Sequence, residues 1–260
     1  MRLIVDGSET FVGTGGREFD PALPAVVFLH GAGMDHTVWA LLARAFAHHG
    51  FGVLAPDLPG HGHSAGEALS SIAALADWTA ALIAAAGVGA ARLVGHSMGS
   101  LVALATAARH PEKVTALALI STAAPMRVSD DLLNAAKADD HAAIDMISLW
   151  GNGYHATLGG SLAPGLWMLG ETERLLERAH PGVLFADLSA CNDYQDALAA
   201  AATVVVPSRV ILGSRDLMTP AQGGKAIAGA LPDCRLTMIE GAGHMLMSER
   251  PDDVLAALRA

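Results

Sequence analysis

Cysteine is nearly absent from this 260-residue chain: Cys191 and Cys234 are the only two. A scaffold built on disulfides is therefore excluded, and a reducing compartment, the cytoplasm, is expected. Basic charge is also scarce. The 16 Lys and Arg stand against 26 Asp and Glu, a formal net charge of −10. Such a chain repels phosphate backbones and anionic bilayer surfaces, so neither nucleic acid nor a membrane is expected as a partner. Charge of either sign covers only 16% of residues, while 52% are hydrophobic. That balance favours collapse around a core over disorder. No secretory leader is expected, because Asp6 interrupts the start before an apolar stretch can build. The longest uncharged run, 146–170, has the length of a bilayer span. It also holds six glycines, Pro164, Asn152 and His155, and reads as loop-rich protein instead.

What the chain does have is alternation. Short, largely apolar runs at Ala25–Leu29, 52–55, 92–94, Val114–Ile120, 210–212 and 236–239 read as strands buried on both faces. Between them lie longer helical stretches at 37–49, 69–86 and 98–110, which stop at Gly50, Gly87 and Pro111. In the third, Leu101, Leu104, Ala105 and Ala108 fall on one helical face. Strand, helix and strand in series predict a doubly wound, mostly parallel α/β sheet. The first segment, 2–16, reads as an antiparallel strand pair at the sheet edge. The alternation breaks over 124–203, which predicts a helical cap inserted after the sixth strand, interrupted by a Gly-rich loop at 151–165. The core domain then comprises 1–123 and 204–260.

Three strand ends carry candidate chemistry. Gly95-His96-Ser97-Met98-Gly99 lies between a strand and a helix, the context that a G-x-S-x-G turn requires. The glycines let neighbouring backbone pass close by, and the helix start offers free N–H groups beside Ser97. A serine hydroxyl needs a base, and the base needs an orienting carboxylate. Among twelve histidines, His244 follows the last strand, and Asp216 follows the strand before it. Both fall on the carboxyl edge where open α/β sheets place their sites. Alone, Asp216 reads equally as a turn residue and His244 as a loop histidine; the order Ser97, Asp216, His244 is what joins them. The loop His30-Gly31-Ala32-Gly33 follows the first buried strand, so the amide of Ala32 could join that of Met98 as an oxyanion hole.

Taken together, these motifs resemble the α/β-hydrolase fold superfamily, specifically a serine hydrolase with a helical cap. The resemblance rests on the four residues from His30 with Trp39 downstream, Pro56-Asp57-Leu58-Pro59-Gly60-His61-Gly62-His63-Ser64, the Ser97 pentapeptide, Gly213-Ser214-Arg215-Asp216 with Pro220, and Gly241-Ala242-Gly243-His244 with Pro251. It implies an enzyme acting on ester bonds, with catalytic Ser97, Asp216 and His244 and no cofactor. Serine at 97 disfavours the dehalogenases and epoxide hydrolases of this fold, which use aspartate. Lyase chemistry lacks its cap lysine, since Lys137 sits among acids on a solvated face. No G-x-G-x-x-G opens a helix after a strand, so dinucleotide binding is not expected. His61 and His63 lack a further ligand cluster, so no metal is expected.

The expected substrate is a small, fairly apolar ester or lactone. Thioesterase, carbon–carbon hydrolase and perhydrolase chemistry stay open on the same triad, as does a low-turnover receptor. Trp150, Tyr154, Trp167 and Met168 are candidate substrate contacts, with a place in the cap's own core as the alternative for each. Arg127, Arg174 and Arg178 are candidates for an acidic substrate, against the commoner role of surface arginines. Cys191 reads as a small buried residue. The expected partner is a small-molecule substrate, with a homodimer left open.

Overall fold

The apolar runs become one sheet. In the computed structural model, which describes residues 1–160 and 167–259, the strands are β1 (Arg2–Val5), β2 (Ser8–Gly13), β3 (Ala25–Leu29), β4 (Gly52–Pro56), β5 (Ala91–His96), β6 (Val114–Ile120), β7 (Ser208–Gly213) and β8 (Cys234–Ile239). Their order is β1-β2-β4-β3-β5-β6-β7-β8. β1 and β2 pair antiparallel at the edge, as does β2 with β4, and every pairing from β4 to β8 is parallel. Alternate side chains along each parallel strand fill opposite layers, which is why the runs are largely apolar. In β3, Val27 and Leu29 face one layer while Val26 and Phe28 face the other.

The helices that cover the sheet are α1 (Ala40–Ala47), α2 (Ile72–Ala85) and α3 (Met98–Arg109), and after β7 α10 (Ala221–Ala230), α11 (Leu246–Glu249) and α12 (Pro251–Arg259). Leu42 and Phe46 of α1 and Val254 and Leu258 of α12 fill one layer. Leu75 and Leu82 of α2, Leu101 and Leu104 of α3 and Ile227 of α10 fill the other. Two helix starts come later than periodicity predicts, and capping explains both. Asp35 accepts from the Thr37 amide at 2.8 Å and opens a single 3-10 turn, His36–Trp39, ahead of α1. Ser71 accepts from the Ala74 amide at 3.2 Å and fixes the start of α2 at Ile72.

Among the described residues between β6 and β7 the elements are helices: α4 (Asp130–Lys137), α5 (Ala142–Gly151), α6 (Tyr154–Thr157), α7 (Met168–Leu176), α8 (Val183–Asp193) and α9 (Ala197–Thr203). Leu132, Ile147, Leu175 and Leu188 bring four of them onto the α1 side, whereas Ala197 and Ala201 seat α9 on the α3 side. The uncharged run 146–170 divides among α5, α6 and α7. Residues 161–165 of the expected Gly-rich loop lie outside the described residues. Among the described residues, no helix is long and apolar enough to cross a membrane.

β3 is central. The chain leaves it first toward β4 and later returns to β5 on its other side. The carboxyl ends of β3 and β5 therefore flank a topological switch point, where open sheets leave a crevice. Their turns need glycine for space. A Cβ on Gly99 would overlap the Leu29 carbonyl oxygen, and one on Gly95 would overlap that of Gly99. Gly99→Ala should therefore push α3 off β3 and lower the unfolding free energy by about 2–3 kcal/mol. A urea titration reads this as a lower midpoint at unchanged slope; a wild-type midpoint would show that the close approach costs nothing.

Candidate active site

Ser97 occupies the turn from β5 into α3 at φ 52 and ψ −119. A non-glycine residue pays about 1–3 kcal/mol to sit there, so surrounding contacts must hold it. Its amide donates to the Ile120 carbonyl at 3.0 Å, and its carbonyl accepts from the Ser100 amide at 2.9 Å. Met98 follows in the first turn of α3, where N–H groups have no intrahelical acceptor.

His244 and Asp216 meet directly. His244 Nδ1 lies 2.8 Å from Asp216 Oδ2. Asp216 is nine-tenths or more buried, and donors surround it. The Met218 and Thr219 amides reach Oδ1 at 2.9 and 2.7 Å, and the Thr219 hydroxyl donates to Oδ2 at 2.7 Å. Burial alone would raise this carboxyl, but the charge and hydrogen bond of His244 and the two groups of Thr219 outweigh it and hold it below the usual carboxylate range.

The backbone of His244 is fixed on both sides. Its amide donates to the Gly151 carbonyl at 2.9 Å, and its carbonyl accepts from Ser121 Oγ at 2.8 Å and His96 Nε2 at 3.0 Å. The His96 ring, next to Ser97 in sequence, has its centroid 4.7 Å from that of His244. Among the described residues no hydrogen bond joins the Ser97 hydroxyl to His244. In unliganded hydrolytic sites this bond is often long and closes with substrate.

The loop that runs from His30 to Gly33 is oriented through the Gly31 carbonyl. The Gly31 carbonyl accepts from His30 Nδ1 at 2.9 Å and from the Met34 amide at 3.2 Å. The Gly31–Ala32 peptide is trans, so the Ala32 N–H points the opposite way. His30 Nε2 accepts from the Leu58 amide at 3.1 Å, which assigns the proton to Nδ1 and leaves the ring neutral. Burial, and then the charge of His61, lower His30 to about 4. A Cβ on Gly31 would come within 3.3 Å of Ser97 Cβ, so this loop lies directly against the serine.

Ser97, Ala32 and Thr219 line one cavity of about 170 Å³. Its other walls are mostly apolar, including Met126, Val128, Leu132, Trp150, Leu188 and Met218. Of the four expected substrate contacts, Trp150 lines it. Tyr154 is 72% exposed and Met168 only 3%, and neither borders it. Trp167 lines a separate groove of about 520 Å³ that borders none of Ser97, Asp216 and His244. Cys191 also borders the Ser97 cavity, and burial pushes its thiol far up, so it is not a competing nucleophile.

Thr219 is the residue the sequence reading missed. Its signal was there: a threonine three residues after an aspartate and just before Pro220 is a side-chain-capped turn. Asp35, His36 and Asp57 bring their ligand atoms within 4.8 Å of one another. All four carboxylate oxygens are already engaged, by Thr37, Arg178, His36 and the His63 amide. The cluster fastens two loops together.

A family model described as alpha/beta hydrolase fold matches residues 24–251. A pimeloyl-[acyl-carrier protein] methyl ester esterase of Chromobacterium violaceum is 34% identical over 246 residues, covering 90% of this chain and 92% of that protein. Its counterpart from Aromatoleum aromaticum is 31% identical, covering 88% and 94%. Among solved structures, the enol-lactonase of Burkholderia xenovorans LB400 superposes with a TM-score of 0.87 at 24% identity, over 100% of this chain and 98% of that one.

The buried histidines set an acid limit on stability. His30 is lowered to about 4, and His96, by burial and then by the charge of His244, to about 3. An unfolded histidine titrates near 6.5. Below that pH the unfolded chain binds two protons that the folded protein excludes, so stability falls as pH falls. The slope reaches about 2.7 kcal/mol per pH unit between about pH 6 and pH 4. Urea midpoints measured across that range should fall accordingly, and His96→Asn should remove about half of the slope. An unchanged slope would mean that His96 is protonated in the fold.

Proposed function

Because the chain belongs to the alpha/beta hydrolase fold family, we propose that it hydrolyses a small, fairly apolar carboxylic ester or lactone through an acyl-enzyme on Ser97. The observation that carries this reading is the buried Asp216–His244 pair beside the cavity that Ser97 lines. Two curated relatives named for a methyl ester support ester bonds as the target, and a cavity of about 170 Å³ suits a short acyl chain.

Ser97 Oγ attacks the ester carbonyl while His244 Nε2, the nitrogen not held by Asp216, takes the hydroxyl proton. Asp216 keeps the imidazole in that tautomer and stabilises its cation. The tetrahedral oxyanion accepts from the amides of Ala32 and Met98. His244 gives its proton to the departing alcohol. It then draws a proton from the water that attacks the acyl-enzyme, and passes it to Ser97 Oγ as the acyl bond breaks and the acid leaves.

One observation favours a narrower reading, an ester whose far end is anionic. Arg127 is the only charged side chain among those lining the cavity, and it makes no ion pair among the described residues. Arg174 and Arg178 are engaged by Glu177 and Asp35.

Ser97→Ala should lower turnover by a factor on the order of 10⁶, measured on a panel of methyl esters, nitrophenyl esters, thioesters and lactones. A fluorophosphonate should label the wild type at Ser97 alone. Substantial activity in the purified variant would remove Ser97 from the mechanism, and a burst without steady turnover would indicate a receptor. Arg127→Ala should raise KM about tenfold for a half-ester of a dicarboxylic acid and leave a neutral ester of equal length unchanged; equal effects on both would discard the anionic reading.

A further inference from the structure

The reaction just described leaves the buried carboxylate of Asp187 without a task. Asp187 lies on α8 and is fully buried. Its Oδ2 accepts from two donors, the Gly33 amide at 2.8 Å and His61 Nε2 at 2.8 Å. Its Oδ1 has no partner among the described residues. The other nitrogen of His61, Nδ1, faces the Pro59 carbonyl at 2.9 Å. Both of its neighbours are acceptors, so both ring nitrogens carry protons and the ring is a cation. Burial works against that charge, but Asp187 outweighs it and holds the proton above the ordinary histidine range.

As a stabilising device this pair is a poor choice. Desolvating two charges roughly cancels their attraction, and an apolar pair of similar volume often serves as well or better. What an apolar pair cannot do is accept the Gly33 N–H. Gly33 ends the oxyanion loop at φ +66. A Cβ added there would meet Leu184 at 3.0 Å and Leu176 at 3.3 Å, so α7 and α8 press on the loop from the same side as Asp187. At the other end of the loop, His30 holds the Gly31 carbonyl, and the His61 ring lies 4.9 Å from the His30 ring. The two peptides on either side of Ala32 are therefore both pinned, one by its carbonyl and one by its amide.

We propose that Asp187, with His61 as its counter-ion, is a positioning residue that aims the Ala32 N–H at the oxyanion, so that α8 takes part in catalysis beyond covering the substrate. This rests on the acyl-transfer reading above. Asp187→Leu keeps the volume and removes the acceptor. Its kcat on an ester the wild type hydrolyses should fall about 100-fold, while KM stays within about threefold. Affinity for an alkyl boronic acid, which forms a tetrahedral anion on Ser97, should fall by a similar factor. Asp187→Asn still offers an oxygen to the Gly33 amide and should recover kcat to within about fivefold of wild type.

Wild-type kcat in Asp187→Leu, a loss of kcat with boronic acid affinity intact, or an asparagine variant no better than the leucine one would each overturn the proposal. If Asp187→Leu shows no cooperative melting, Asp187→Ser, short enough to admit water, replaces it under the same criteria. An active wild type beside an unaffected Asp187→Leu defeats this proposal alone. A wild type that neither hydrolyses ester nor labels at Ser97 defeats the functional reading as well.

Discussion

A carboxylate taken out of water must be surrounded by donors, and in this protein that requirement falls on the loops of the site. Asp216 gathers the amides of Met218 and Thr219 around the His244 partner. Asp187 takes the Gly33 amide. Glu249 takes the Gly243 amide at 3.2 and 3.0 Å through its two oxygens. Asp57 takes the amides of His36 and His63. These loops begin where the strands stop, so no β-ladder can hold them. Charge-assisted bonds from buried acids supply the order that the sheet cannot.

Those same acids divide the site between two bodies of structure. Ser97 is held by β5, β6 and α3, through Ile120 and Ser100. Its two helpers are held partly by the helical insertion. The Gly151 carbonyl at the end of α5 accepts from both His244 and Met245, and a Cβ on Gly243 would come within 2.5 Å of the Gly153 amide nitrogen. Asp187 on α8 holds the Gly33 amide of the loop that contains Ala32. His244 is thus held from both bodies, its amide by the Gly151 carbonyl of the insertion and its carbonyl by Ser121 Oγ and His96 Nε2 at the ends of β6 and β5. Trp150 of α5 lines the same cavity as Ser97.

What the sequence made legible follows a physical rule. Strands buried on both faces leave continuous apolar runs, so β3, β4 and β6 could be read directly, and Ser97, Asp216 and His244 could then be placed at strand ends. Helix starts were less legible, because Asp35 and Ser71 decide them through one side-chain bond each. The insertion was least legible. Apolar spacing tells which face of a helix is buried but not what it is buried against, so Trp150, Tyr154, Trp167 and Met168 looked alike and have different surroundings. Asp187 left no signal, since its partners Gly33 and His61 lie 154 and 126 residues away.

The histidines show the same limit at the level of single protons. Nothing local separates His30, His61 and His96 in the sequence, and all three are buried. His61 sits between a carboxylate and a carbonyl, two acceptors, and becomes a cation. His30 sits between a carbonyl and an amide, one acceptor and one donor, and stays neutral. His96 has one acceptor, the His244 carbonyl at Nε2, and no partner for Nδ1 among the described residues, and it too stays neutral. The assignments are mutually consistent. A second cation at His30 would lie against His61, and one at His96 would lie against the His244 ring. The fold thus keeps His96, the ring beside His244, neutral, and pairs the His61 imidazolium with Asp187, which also holds the Gly33 amide.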